Sequence, residues 1–144
     1  QVRAVELADA ALAYTTANTR GSGVEVIQAD ATDATTLAEW NGTVDLIVTN
    51  PPYVPETPDL DPEVYHDPHD AVFAGEDGMG VITGLIPTFA RLLRPGGKVA
   101  IEHDDSTSEA VQAVMARHGG FERISALQDM TGTPRFVTAV RAVD

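Results

Sequence analysis

Asn50-Pro51-Pro52-Tyr53 is the segment best suited to chemistry. The side-chain oxygen of Asn50 and the carbonyl of Pro51 can each accept one N–H of a planar NH2 group. Held that way, the nitrogen turns its remaining lobe toward an electrophile. The prolines stiffen the turn, and Tyr53 offers a ring against a flat amide or amine. Group transfer to such a nitrogen depends on alignment and on stabilising the charge that develops there, so no strong general base is required. An Asn-Pro-Pro run can be no more than a turn after a strand. The full tetrapeptide, placed where a strand ends and a long loop opens, argues for a site.

The surrounding pattern supplies the elements that must hold it. Val44–Thr49 is β-branched and nearly all apolar, and predicts a strand buried on both faces of a parallel sheet. Val2–Leu7 and Val24–Gln28 read as earlier strands, separated by an alanine-rich helix over Ala8–Asn18 whose Ala11, Leu12, Tyr14 and Ala17 suit one face. A helical turn is expected around Leu37–Trp40, with Trp40 packing rather than contacting a cofactor. The run from Pro51 to Gly80 carries six of the nine prolines, and a loop of that length is usually functional. Beyond it the spacing predicts a helix over Val81–Leu93, with Pro87 as a candidate kink and Arg94-Pro95-Gly96-Gly97 as its end. A strand over Lys98–Glu102, a helix over Ser106–His118 and strands over Phe121–Leu127 and Phe136–Ala142 follow; the last two should pair antiparallel.

This alternation predicts an α/β fold, a mainly parallel sheet with helices on both faces and a terminal antiparallel hairpin. Ligands bind such sheets beyond the carboxyl ends of the strands. Glu6, Asp30 and Asn50 all fall at strand ends, so they form the candidate site.

Composition narrows the classes. In 144 residues, nine basic side chains face 22 acidic ones for a net charge of −13, and Lys98 is the one lysine. That field repels phosphate backbones, so no direct nucleic-acid binding is expected. Cysteine is absent, which removes disulfides, thiolate metal sites and thiol nucleophiles and fits a cytoplasmic location. No apolar run approaches the roughly 20 residues of a membrane helix, and no signal peptide is visible.

Asn50-Pro51-Pro52-Tyr53-Val54-Pro55, followed by Asp67-Pro68, Gly75-Glu76-Asp77-Gly78 and the closing Gly132-Thr133-Pro134-Arg135-Phe136-Val137, resembles one known family across nearly the whole chain. It is the family of class I S-adenosylmethionine-dependent methyltransferases that modify the glutamine N5 of peptide chain release factors, with a Rossmann-like fold. The resemblance implies that Asn50 and Pro51 hold the substrate amide, with Pro52 and Tyr53 shaping the pocket. It implies that Glu6 holds the ribose of S-adenosylmethionine, and that Asp30, with Ala31 beside it, sits near the adenine. The implied partner is a release factor, methylated in its Gly-Gly-Gln motif.

The sequence departs from the family pattern in three places. Asp67-Pro68 stands where the family often has Glu-Pro, a conservative change; Glu102-His103-Asp104 stands where it often has Glu-Ile-Gly; and the family's Gly-rich loop after its first strand has no counterpart. Residues 1–144 therefore read as the carboxyl-terminal portion of one catalytic domain, lacking the first strand and the helical recognition domain, with activity expected of the complete protein.

Other groupings have plainer readings. His66 and His69 with Asp67 and Asp70 lack a scaffold for a metal, and no metal site is expected. Glu102, His103, Asp104 and Asp105 read as a polar loop before a helix. The rival functions are glutamine methylation of a ribosomal protein, amino-group methylation of an extruded base, and a non-catalytic binding module.

Overall fold

The strands and helices occur in the expected order. The computed structural model describes residues 1–53 and 78–143. Strands β1 (Val2–Glu6), β2 (Val24–Gln28), β3 (Val44–Thr49), β4 (Leu93–Glu102), β5 (Phe121–Gln128) and β6 (Pro134–Arg141) are interleaved with helices α1 (Asp9–Asn18), α2 (Gly80–Leu92) and α3 (Ser108–His118). A short 3-10 turn covers Ala38–Trp40, where a helical turn was expected, and leaves Trp40 half-buried. The long loop expected after Tyr53, with its His66 and His69, lies outside the described residues.

The chain divides into two units, Gln1–Thr36 and Leu37–Asp144. In the first, β1 and β2 pair in parallel from Val2 opposite Val24 to Glu6 opposite Gln28. None of its residues is fully buried. The expected helical face needs correction here. Ala11, Leu12 and Thr15 are half-buried, whereas Ala17 is exposed and Tyr14 is 74% exposed. At 3.6 residues per turn, Tyr14 points about 110° away from the line through those three.

In the second unit four strands run in the order β3-β4-β6-β5. The β3–β4 ladder is parallel, and β6 pairs antiparallel with both β4 and β5. The closing hairpin is as expected, but its second strand turns back to lie between β4 and β5. The core lies in this unit. Ile82, Leu85, Ile86 and Phe89 recur at helical spacing along α2, and they are buried together with Val99 and Ile101 of β4, Val137 and Ala139 of β6, and Val111 and Met115 of α3. Helix α2 continues through Pro87. Helix α3 ends at Gly119, whose φ of 77° is the left-handed conformation that closes a helix.

Strand β3 is not buried on both faces as its composition predicts: Leu46 is 58% and Val48 71% exposed. It is the outer strand of its four-stranded sheet, and these two side chains share the face opposite the one that carries Ile47. Apolar composition cannot distinguish a covered strand from an uncovered one.

The turn expected to end α2 also behaves differently. The helix stops at Leu92, and Arg94-Pro95-Gly96-Gly97 bulge within β4, where partners shift from Val44–Leu93 to Leu46–Lys98. Gly97 is required by close approach, because a Cβ there would lie 2.8 Å from the Val44 carbonyl oxygen and 2.9 Å from that of Arg94. Gly97→Ala is expected to destabilise the protein by about 2 kcal/mol, read as a lower urea midpoint at unchanged slope.

Candidate functional site

Each predicted site residue stands where its strand delivers it. Asn50 directly follows β3, Glu6 ends β1, and Asp30 lies two residues beyond β2. Asn50 is exposed, and its side-chain amide has no hydrogen-bond partner among the described residues. Pro51 is buried behind it, while Pro52 and Tyr53 are half-buried.

Within the first unit, Glu6 and Asp30 sit at the carboxyl edge of paired strands, with the Ala29 N–H donating to the Glu6 carbonyl at 3.1 Å. Glu6 Oε1 accepts the Ala8 N–H at 2.9 Å. Asp30 Oδ1 accepts the Thr32 N–H at 2.8 Å and the Thr32 hydroxyl at 2.7 Å. Each carboxylate is thus fixed through one oxygen, and the second has no partner among the described residues. Those free carboxylate oxygens are acceptors, suited to a ligand that donates from hydroxyl or amino groups, such as a nucleoside. Ala31, beside Asp30, is half-buried.

The second unit holds a contact that the strand-end rule passed over. The Tyr53 hydroxyl donates to Glu102 Oε1 at 3.0 Å. Glu102 ends β4 just as Asn50 follows β3, so the same rule could have found it. Burial, followed by the hydrogen bond to Glu102 and its negative charge, raises the Tyr53 pKa above the usual tyrosine value, against an opposing pull from Arg135. The phenol therefore remains a donor through the neutral range.

The next residues divide between roles. Asp104 matches the plain reading of a polar loop: its Oδ1 accepts the Ser106 N–H at 2.9 Å and the Ser106 hydroxyl, and its carbonyl accepts the Thr107 hydroxyl at 2.9 Å. Burial alone would raise its pKa, but the Ser106 hydrogen bonds, with Asp105 and the positive charge of Arg135, together hold it below the usual aspartate value. A depressed pKa stabilises the fold above the unfolded value, and this contribution is lost as pH falls through the folded one. The melting-temperature gap between wild type and Asp104→Asn is therefore expected to be present at neutral pH and to close on acidification. His103 is fully buried; its Nδ1 lies 2.7 Å from the Asp104 carbonyl oxygen, and its Nε2 has no hydrogen-bond partner among the described residues.

Opposite this loop, Asp129 organises the β5–β6 turn by accepting the Thr131 N–H at 2.8 Å and the Thr133 N–H at 3.1 Å. Arg135 stands 3.9 Å from Asp129 and 4.0 Å from Asp105. Among the described residues no group of acidic and histidine side chains is arranged to hold a metal ion, and no helix is long and apolar enough to cross a membrane.

The α/β fold, with its parallel ladders, closing hairpin and polar strand ends, is that of a class I methyltransferase. It superposes on a methyltransferase from Pyrococcus furiosus with a TM-score of 0.70, covering 99% of this chain and 64% of that one at 18% identity. It also superposes on a protein-(glutamine-N5) methyltransferase from Alicyclobacillus acidocaldarius with a TM-score of 0.53, covering 99% and 80% at 21% identity. No family model matches.

Sequence relatives are more specific. The chain is 60% identical to the release factor glutamine methyltransferase of Corynebacterium glutamicum over 81% of its own length and 42% of the relative's. It is 51% identical to that of Mycolicibacterium smegmatis over 98% and 50%. Over the part it spans, the chain is similar to the release factor glutamine methyltransferases of these bacteria. It spans about half the length of these relatives.

Proposed function

We propose that the complete protein methylates the side-chain N5 of the glutamine in the Gly-Gly-Gln motif of a release factor, and that residues 1–144 form the carboxyl-terminal part of its catalytic domain. The observation that carries this reading is Asn50, exposed and without a hydrogen-bond partner among the described residues, directly after a strand and ahead of two prolines. Relatives named for release factor glutamine methylation support it across the span they share.

Asn50 and the Pro51 carbonyl accept the two N–H bonds of the glutamine amide and aim its nitrogen; Pro52 and Tyr53 wall the pocket. Glu6 holds the ribose of S-adenosylmethionine, and Asp30 and Ala31 lie near its adenine. When bound, that cofactor supplies the methyl group on its sulfonium. The nitrogen lone pair is tied up in amide resonance, so holding both N–H bonds serves alignment and spreads the charge that develops. This reading places the protein in the cytoplasm, where release factors act, and assigns it neither a membrane nor a nucleic-acid partner.

A second reading has one observation behind it. A relative from Streptomyces pristinaespiralis, 42% identical over 87% of this chain and 43% of its own length, is named as a methyltransferase of 4-amino-L-phenylalanine and its methylamino derivative. The full-length protein, given equal amounts of purified release factor, ribosomal proteins, single-stranded DNA and 4-amino-L-phenylalanine with labelled cofactor, is expected to label the release factor. Preferential label on the free amino acid or on DNA would overturn the proposal.

A further inference from the structure

The Tyr53–Glu102 hydrogen bond joins two adjacent strand ends. Thr49 of β3 and Ile101 of β4 are register partners, so Asn50 and Glu102 lie one residue beyond the same rung. Strand β4 is flanked on both sides, by β3 and β6, and Ile101 is fully buried. Beyond it, Glu102 pairs with Phe136 and the His103 N–H donates to the Arg135 carbonyl at 3.0 Å. Glu102 is therefore mounted on the best-braced strand end of the sheet. Tyr53 stands at the end of the Asn-Pro-Pro turn, where two prolines fix the backbone but nothing in the turn fixes the ring.

We propose that Glu102 is a positioning residue for methyl transfer: by accepting the Tyr53 hydroxyl it holds the ring that walls the substrate amide. This rests on the glutamine-methylation reading given above. The polar loop reading accounts for Asp104, whose carboxylate is spent on Ser106, but not for Glu102, whose carboxylate reaches 49 residues back to the motif. Among the described residues, the other charged groups acting on the phenol are Asp104 and Arg135, which oppose one another.

The test is a double-mutant cycle in the full-length protein, with kcat and KM for release factor and cofactor measured separately. Glu102→Ala and Tyr53→Phe are each expected to lower kcat about tenfold with little change in KM for the cofactor. The double variant should lose about tenfold rather than a hundredfold, and Glu102→Gln, which keeps an acceptor oxygen, should recover most of the rate. Multiplicative losses, or Glu102→Gln as slow as Glu102→Ala, would overturn the proposal while leaving the function intact. Alkaline absorbance titration, with Tyr53→Phe subtracted to isolate this phenol, reads the contact without any turnover. Glu102→Ala should move the Tyr53 titration down toward the ordinary tyrosine value, and an unmoved titration overturns the proposal. A wild-type protein that methylates no glutamine would instead remove the functional reading, with the titration still deciding whether Glu102 holds Tyr53.

Discussion

Replacing Asn50 with alanine in the full-length protein is expected to lower the proposed methyl transfer by about a thousandfold, with the melting temperature and cofactor affinity little changed. The size follows from the role proposed for the side chain, one of two acceptors that hold the amide nitrogen: preorganised hydrogen-bonding groups of this kind are worth about 10²–10³ in rate, with misalignment of the nitrogen adding to the loss. The silence in stability follows from the structure. Asn50 is exposed and has no hydrogen-bond partner among the described residues, and substitutions at such positions stay within about 0.5 kcal/mol. A variant that melts well below wild type, or that retains a tenth of the rate, would mean that Asn50 braces the turn and does not hold substrate.

Ile101→Ala is expected to have the largest effect on folding, about 4 kcal/mol. Ile101 is fully buried in β4 between Thr49 and Val137, on the face that carries Val99 and Ala139 into the core with α2 and α3. Removing three carbons from such a position costs the transfer free energy and leaves a cavity, together 2–5 kcal/mol. Domains of this size have only about 5–15 kcal/mol of net stability, so the variant should sit near its folding threshold at 37 °C. Urea unfolding followed by circular dichroism measures this directly. A loss under about 1 kcal/mol would show that the core closes around the gap. Because Glu102 is the next residue, a folded Ile101→Ala protein should also lose rate through the Tyr53 contact.

Much of this was readable in the sequence because it is carried by local chemistry. The β-branched runs of Val24–Gln28 and Val44–Thr49 mark strands, and a proline pair after an asparagine marks where β3 must stop. The strand-end positions of Glu6, Asp30 and Asn50 follow from those boundaries alone. What was not readable depends on contacts between distant segments. The exposure of Leu46 and Val48 depends on what covers a sheet face, and the bulge at Arg94–Gly97 on how β3 and β4 align. The Tyr53–Glu102 bond spans 49 residues and leaves no periodic trace. The buried face of α1 is not legible because an alanine-rich segment contains too few large side chains to define one, and Tyr14 and Ala17 of the expected face are exposed.

The central claim is that this chain's motif serves glutamine methylation. The most direct measurement is mass spectrometry of a release factor after incubation with the full-length protein and S-adenosylmethionine. One added methyl, localised by fragmentation to the glutamine of the Gly-Gly-Gln motif and absent when Asn50→Ala replaces the wild type, is the predicted result. A methyl placed on any other residue, or an unmodified release factor beside a cofactor-bound enzyme, would contradict it.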